Sequence, residues 1–187
     1  MNAVAGVAAI REWAAARALD FRHDDFVGHG AVFSRCGRYR YLLWRDATDA
    51  RVMLGFGMLN PSRADHLAND PTIARCHRRA REEGAALLAW NLFAIREADP
   101  ARLKARRGPV GRHNDAAIAL ALELAGRTVA AWGVHGAHRG RDRAMARLGG
   151  GAQLFCYGVT NAGYPRHPLY LRGNAEAVPW PVSGSRP

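Results

Sequence analysis

The chain has 187 residues, of which 49% are apolar, enough for one domain with a full hydrophobic core and too apolar for global disorder. It carries a formal net charge of +11, almost all of it on arginine, since Lys104 is the single lysine. Cys36, Cys76 and Cys156 are odd in number, widely spaced and outside any CxxC pair, which excludes a disulfide framework and a cysteine-ligated metal centre.

Taken in chain order, residues 1–25 read as an N-terminal helical extension, with a helix over Val7–Leu19 and then a charged joint at Arg22–Asp25. Phe33–Trp44 reads as two short strands, with Tyr39, Tyr41 and Leu43 alternating. A buried strand over Val52–Phe56 runs into a turn at Asn60-Pro61-Ser62 and a polar loop to Asn69. Asp70-Pro71 then opens a helix, Asp as N-cap and Pro at the first position, which Gly84 ends. Ala85–Leu92 is a second buried strand, Asp99-Pro100 opens a short helix, and Asn114–Ala125 is an apolar helix. Thr128–Val134 reads as a third strand, Asp142–Leu148 as a helix ended by a glycine run, and Leu154–Tyr157 as a fourth strand. The Pro-rich tail, 174–187, reads as irregular.

This alternation predicts an α/β domain over residues 26–173, built on an open, mostly parallel central sheet flanked by helices. In such a sheet the loops after the strands share one edge, where sites are built. Those loops carry Asn60, Asn91, the run His135–Arg141, and Thr160-Asn161 followed by Arg166 and His167.

The segments LNPSRADHLANDPTIARC, NLFAIREADP, PVGRHND and YPRHPLYL resemble the bacterial DUF1643 family of uncharacterised proteins, from about Phe26 to Leu171. More loosely, GxxNPS, an apolar strand ending in Asn, and a late HP motif resemble the uracil-DNA glycosylase superfamily. That resemblance implies a glycosylase-like fold and hydrolysis of an N-glycosidic bond in DNA carrying a damaged or modified base. It places Asn60 beside the attacking water and His167 against the base carbonyl, as catalytic residues. Asn91 falls where an asparagine reads the base edge, and Gly57, Pro61, Ser62 and Asp65 fall in the substrate-binding loop. Leu169 falls at the position of a duplex wedge, and Arg139, Arg141 and Arg166 are the candidate phosphate ligands. Two features depart from the superfamily pattern: Leu169 follows Pro168 where a serine is usual, and no aromatic follows Pro61.

Plainer roles stand beside these. Asn-Pro is a common turn pair, Asp70 suits a helix cap, and an amide ending a buried strand suits a loop clamp. Asn60 is no general base; Asp65 is the alternative activator of water. His135 and His138 lie three apart with no third ligand near, so no metal and no organic cofactor is expected. Gly55 and Gly57 do not make a dinucleotide fingerprint. The charge suits nucleic acid, DNA foremost, though a coding preference for arginine gives the same balance. No run is long enough to span a bilayer and the start lacks a basic lead segment, so the cytoplasm is the expected compartment, with no obligate protein partner. Two rival functions remain: hydrolysis of a free nucleoside or nucleotide, and non-catalytic nucleic-acid binding.

Overall fold

The computed structural model describes residues 1–148, 152–171 and 175–180. One eight-stranded sheet runs through it. In chain order the strands are β1 (Asp20–Asp24), β2 (His29–Phe33), β3 (Arg40–Arg45), β4 (Met53–Met58), β5 (Ala86–Asn91), β6 (Ala125–Ala130), β7 (Leu154–Cys156) and β8 (Val178–Trp180). The helices are α1 (Ala3–Ala15), α2 (Pro71–Glu82), α3 (Pro100–Ala105), α4 (Asn114–Leu124) and α5 (Arg141–Leu148).

The spatial order is β1-β2-β3-β5-β4-β6-β7-β8. Parallel pairing is confined to β5–β4, β4–β6 and β6–β7, while β1–β2, β2–β3, β3–β5 and β7–β8 are antiparallel. The sheet is therefore mixed, which corrects the expectation of a mostly parallel one. Helical crossovers begin only at α2; before it, short connections join β1, β2 and β3, and short connections permit antiparallel pairing alone.

Of the two short strands expected within Phe33–Trp44, the second is β3, while the first lies earlier, as β2 at His29–Phe33; two further strands went unread in the sequence. Asp20–Asp24, which overlaps the charged joint expected at Arg22–Asp25, forms β1 in register with β2 from Asp20↔Phe33 to Asp24↔His29. The helix before it stops at Ala15, and Ala18 turns the chain with a left-handed φ of 50°. In the tail expected to be irregular, Val178–Trp180 pairs with β7. Both strands exist through distant partners, so local pattern did not reveal them. β6 begins at Ala125, directly off α4, and ends before the expected Val134, which lies in a 3-10 turn. The glycine run at 149–151, the boundary at 173/174 and residues 181–187 lie outside the described residues.

Period-two alternation sorts the strands between two cores. Ala86, Leu88 and Trp90 of β5 face one core with Ile10 of α1 and Ile118 of α4; Ala85, Leu87 and Ala89 face the other with Ile73, Cys76 and Ala80 of α2. Gly57 is a packing residue: a Cβ there would lie 2.5 Å from the Trp90 ring. No described helix is long and apolar enough to cross a membrane.

Candidate functional site

The carboxyl ends of β4, β5, β6 and β7 share one edge of the sheet. Strand order reverses there, because β5 and β6 lie on opposite sides of β4. Open α/β sheets bind ligands in the crevice at such a switch point. A cleft of about 970 Å³ lies there, lined by the segments that follow β4 (Met58–Asn60, Ser62, Arg63), β6 (Trp132–His135) and β7 (Thr160–Ala162, Arg166, His167), together with Arg40 and the start of α2.

Asn60 is fixed by its own donors. Nδ2 bonds the carbonyl oxygens of Pro61 (3.1 Å) and Glu97, so the amide orientation is set. Oδ1 accepts nothing among the described residues and is the group Asn60 has left for a ligand or water.

His167 stands in the 167–170 turn. The backbone N–H of Leu169 donates to its Nδ1 at 3.4 Å. Burial holds its pKa below the usual histidine range, against the opposing pull of the Asp70 charge. A neutral ring whose Nδ1 accepts must carry its proton on Nε2, which makes it a neutral hydrogen-bond donor. Beside it Leu169 and Tyr170 are 39% and 78% exposed, an apolar, aromatic rim to the cleft.

Arg40 was not singled out in the sequence. Its residue surface is 2% exposed, yet it lines the cleft. Nη1 donates to the Ala64 carbonyl at 2.7 Å, and no other hydrogen bond or ion pair satisfies the guanidinium among the described residues. Burial lowers its pKa to about 10, with the Asp70 charge opposing. Asp70 caps α2 through Ile73 N–H (2.8 Å) and receives Ala64 N–H (3.3 Å), and it too lines the cleft. It is both a helix cap and one of two carboxylate residues lining the cleft, the other being Glu97, which is paired with Arg106. Nothing in the sequence marks Arg40 among 27 basic residues; only its place in an otherwise apolar strand, RYLLW, sets it apart.

Of the residues expected at the site, Asn60, Ser62, Arg166, His167 and Leu169 line the cleft and the others do not. Asn91 is 1% exposed, in register with the cleft-lining Met58; its backbone oxygen accepts from Asn114 Nδ2 (2.9 Å), while its own Nδ2 is buried without a partner. The expected trio thus reduces to a pair, with the second amide shut behind the wall. Gly57 lies under Trp90, and Pro61 is buried with its carbonyl accepting from Asn60 and Glu97. Asp65 accepts the N–H groups of Leu67 (2.9 Å) and Ala68 (2.7 Å), folding the 65–68 loop that Arg45 holds from beneath. Those backbone bonds outweigh its burial and lower its pKa, which makes it a poor base.

The arginines divide similarly. Arg141 is buried, its Nε on the Leu92 carbonyl (3.0 Å) and its Nη2 on Asp115 (2.6 Å), so it clamps α5 rather than a phosphate. Arg139 is exposed, with Nη2 on the Arg106 carbonyl (3.1 Å), away from the cleft lining. Arg166 is exposed at the cleft and, among the described residues, bonds through Nε alone, on the Val159 carbonyl (2.8 Å).

No curated protein and no solved structure was found to match the chain. A family described as "Protein of unknown function (DUF1643)" matches residues 40–169, which spans Arg40, Asn60, Asp70 and His167. The match covers more than half of the chain, which therefore belongs to the DUF1643 family.

Proposed function

We propose that the cleft binds a nucleobase and hydrolyses its N-glycosidic bond, acting on a damaged or modified base in DNA. One observation carries the reading: a neutral imidazole forced to present Nε2–H lines the same cleft as an amide whose only open group is an acceptor. The looser likeness to the uracil-DNA glycosylase superfamily, through GxxNPS and the late HP motif, supports it.

The chemistry follows from the groups. As the bond between C1′ and the base nitrogen breaks, the base takes the electron pair and the sugar becomes oxocarbenium-like. Nε2–H of His167 donates to the oxygen where the base's negative charge gathers; a preorganised donor of this kind contributes about 3–4 kcal/mol. Oδ1 of Asn60 accepts from a water and orients its oxygen toward C1′. Asp70 offsets the positive charge on the sugar, and the water's proton passes to solvent as the new C–O bond forms. The base is then protonated from solvent. Arg166 and Arg63 at the cleft suit a phosphodiester, and Tyr170 and Leu169 suit stacking or wedging beside an extruded base.

A second reading, hydrolysis of a free nucleotide, is favoured by Arg40. A buried guanidinium with unused donors suits one compact phosphate, and two of the three arginines expected along a strand are spent on backbone and carboxylate groups. The test offers the protein oligonucleotides carrying a panel of modified bases alongside the matching free nucleotides. Alkali-labile abasic sites in an oligonucleotide support the first reading, and base release from nucleotides alone supports the second. Release from neither removes both.

A further inference from the structure

At the end of the sheet opposite the cleft, three side chains converge from three elements. His29 begins β2, Asp46 follows β3, and His77 lies in the middle of α2. Nε2 of His29 is 3.2 Å from Asp46 Oδ1, and Nε2 of His77 is 2.7 Å from Oδ2. One ligand atom from each residue lies within 4.8 Å of the other two. We infer that His29, Asp46 and His77 form a divalent transition-metal site, with Zn²⁺ the ion best matched to two imidazoles and a carboxylate.

The spacing supports it. With bonds of about 2.0–2.2 Å, a tetrahedral zinc centre sets its ligand atoms about 3.3 Å apart. His29 is near that value from Oδ1 at 3.2 Å, whereas His77 sits closer, 2.7 Å from the other oxygen Oδ2, so an ion entering between them displaces His77 outward. The scaffold is fixed: Ala47 N–H bonds the Gly28 carbonyl at 3.0 Å, tying the two loops together, and α2 is anchored by its Asp70 cap and by buried Ile73, Cys76 and Ala80. Asp46 holds a left-handed φ of 56°, a costly backbone for a residue with a side chain, and such strain gathers at ligand sites.

Two cations face the cluster: Arg45, whose charge acts on His29, and Arg81, whose Nε is 3.5 Å from Asp46 Oδ2. Arg81 is 70% exposed at its side chain and free to swing away, and Arg45 is occupied by the 65–68 loop. A surface groove lined by Asn69, Arg78 and Arg81 among others reaches His77 and brings solvent to that ligand. The site lies two helical turns from Asp70, so the ion would pin α2 to the β2–β3 hairpin without touching the cleft's ligand.

The inference is independent of the proposed reaction, and its test is too. Metal-free protein is titrated with Zn²⁺ by calorimetry and with Co²⁺ by its visible absorption, and melting is followed with and without Zn²⁺. One equivalent should bind, with tetrahedral Co²⁺ bands and a raised melting temperature. Asp46→Asn, which tolerates the left-handed backbone as well as Asp does, and His77→Gln should each weaken binding at least a hundredfold while remaining folded. Absence of stoichiometric binding, or binding that survives both substitutions because the ion sits elsewhere, would overturn the assignment.

Discussion

The backbone N–H of Leu169 points at Nδ1 of His167 from 3.4 Å, across a turn that Pro168 keeps tight. This contact decides which nitrogen of the ring can donate. It also ties the ring's chemistry to its charge, because protonating Nδ1 would set two N–H groups against each other.

The first consequence is a pH dependence. The His167 pKa lies below 6.5 because burial disfavours the charged ring. Activity should therefore hold at pH 7 and fall as pH drops through that lowered value. The same shift acts on stability. Below pH 6.5 the unfolded chain takes up protons that the folded chain does not, so stability declines toward acid. His29, His113, His135 and His138 are lowered in the same direction, first by burial, and add to the decline. Urea melts between pH 5 and 8 would measure it; stability rising toward acid would contradict it.

Arg40 should separate stability from binding. It is a buried cation with one hydrogen bond and no ion pair among the described residues. Replacing such a charge with an apolar side chain of similar size is often neutral or stabilising. Arg40→Met is expected to keep or raise the melting temperature while weakening nucleotide or oligonucleotide binding tenfold or more. Loss of fold with unchanged affinity in the surviving protein would show that Arg40 serves the core alone.

Asn91→Asp should act on the fold. The side chain is 1% exposed and its Nδ2 has no partner, so an ionised carboxylate there would be costly. A loss of about 2 kcal/mol or more at neutral pH, partly recovered toward acid as the carboxyl is neutralised, is expected. Wild-type stability with an altered base preference would instead show that Asn91 reaches the ligand.

Gly57→Ala should destabilise without touching the chemistry. The added methyl meets the Trp90 ring, and overpacking of this kind costs about 1–3 kcal/mol. A thermal melt unchanged from wild type would mean that the ring can move aside.

How much of this was legible depends on how local each signal is. The Asp70-Pro71 start of α2 is a cap written in adjacent residues, and Asp70 does accept from Ile73 N–H. Asn60 and His167 sit where polar groups follow buried strands, and topology brings both to the cleft. Asn91 misled because the end of a strand fixes a residue's height in the sheet, not whether its side chain opens outward. Strands β1 and β8, the buried place of Arg40, and the His29–Asp46–His77 cluster all depend on partners far along the chain. The arginines misled in another way: in a chain this basic, Arg141 looks like its neighbours until Leu92 and Asp115 are seen to hold it.

The most direct measurement is the rate at which free base is released, by wild type and by His167→Ala, from whichever modified-base oligonucleotide or nucleotide wild type processes best. Loss of the Nε2–H donor should slow release by about a hundredfold or more, with folding and ligand affinity little changed. Release by His167→Ala at the wild-type rate, or no release by wild type from any substrate in the panel, would contradict it.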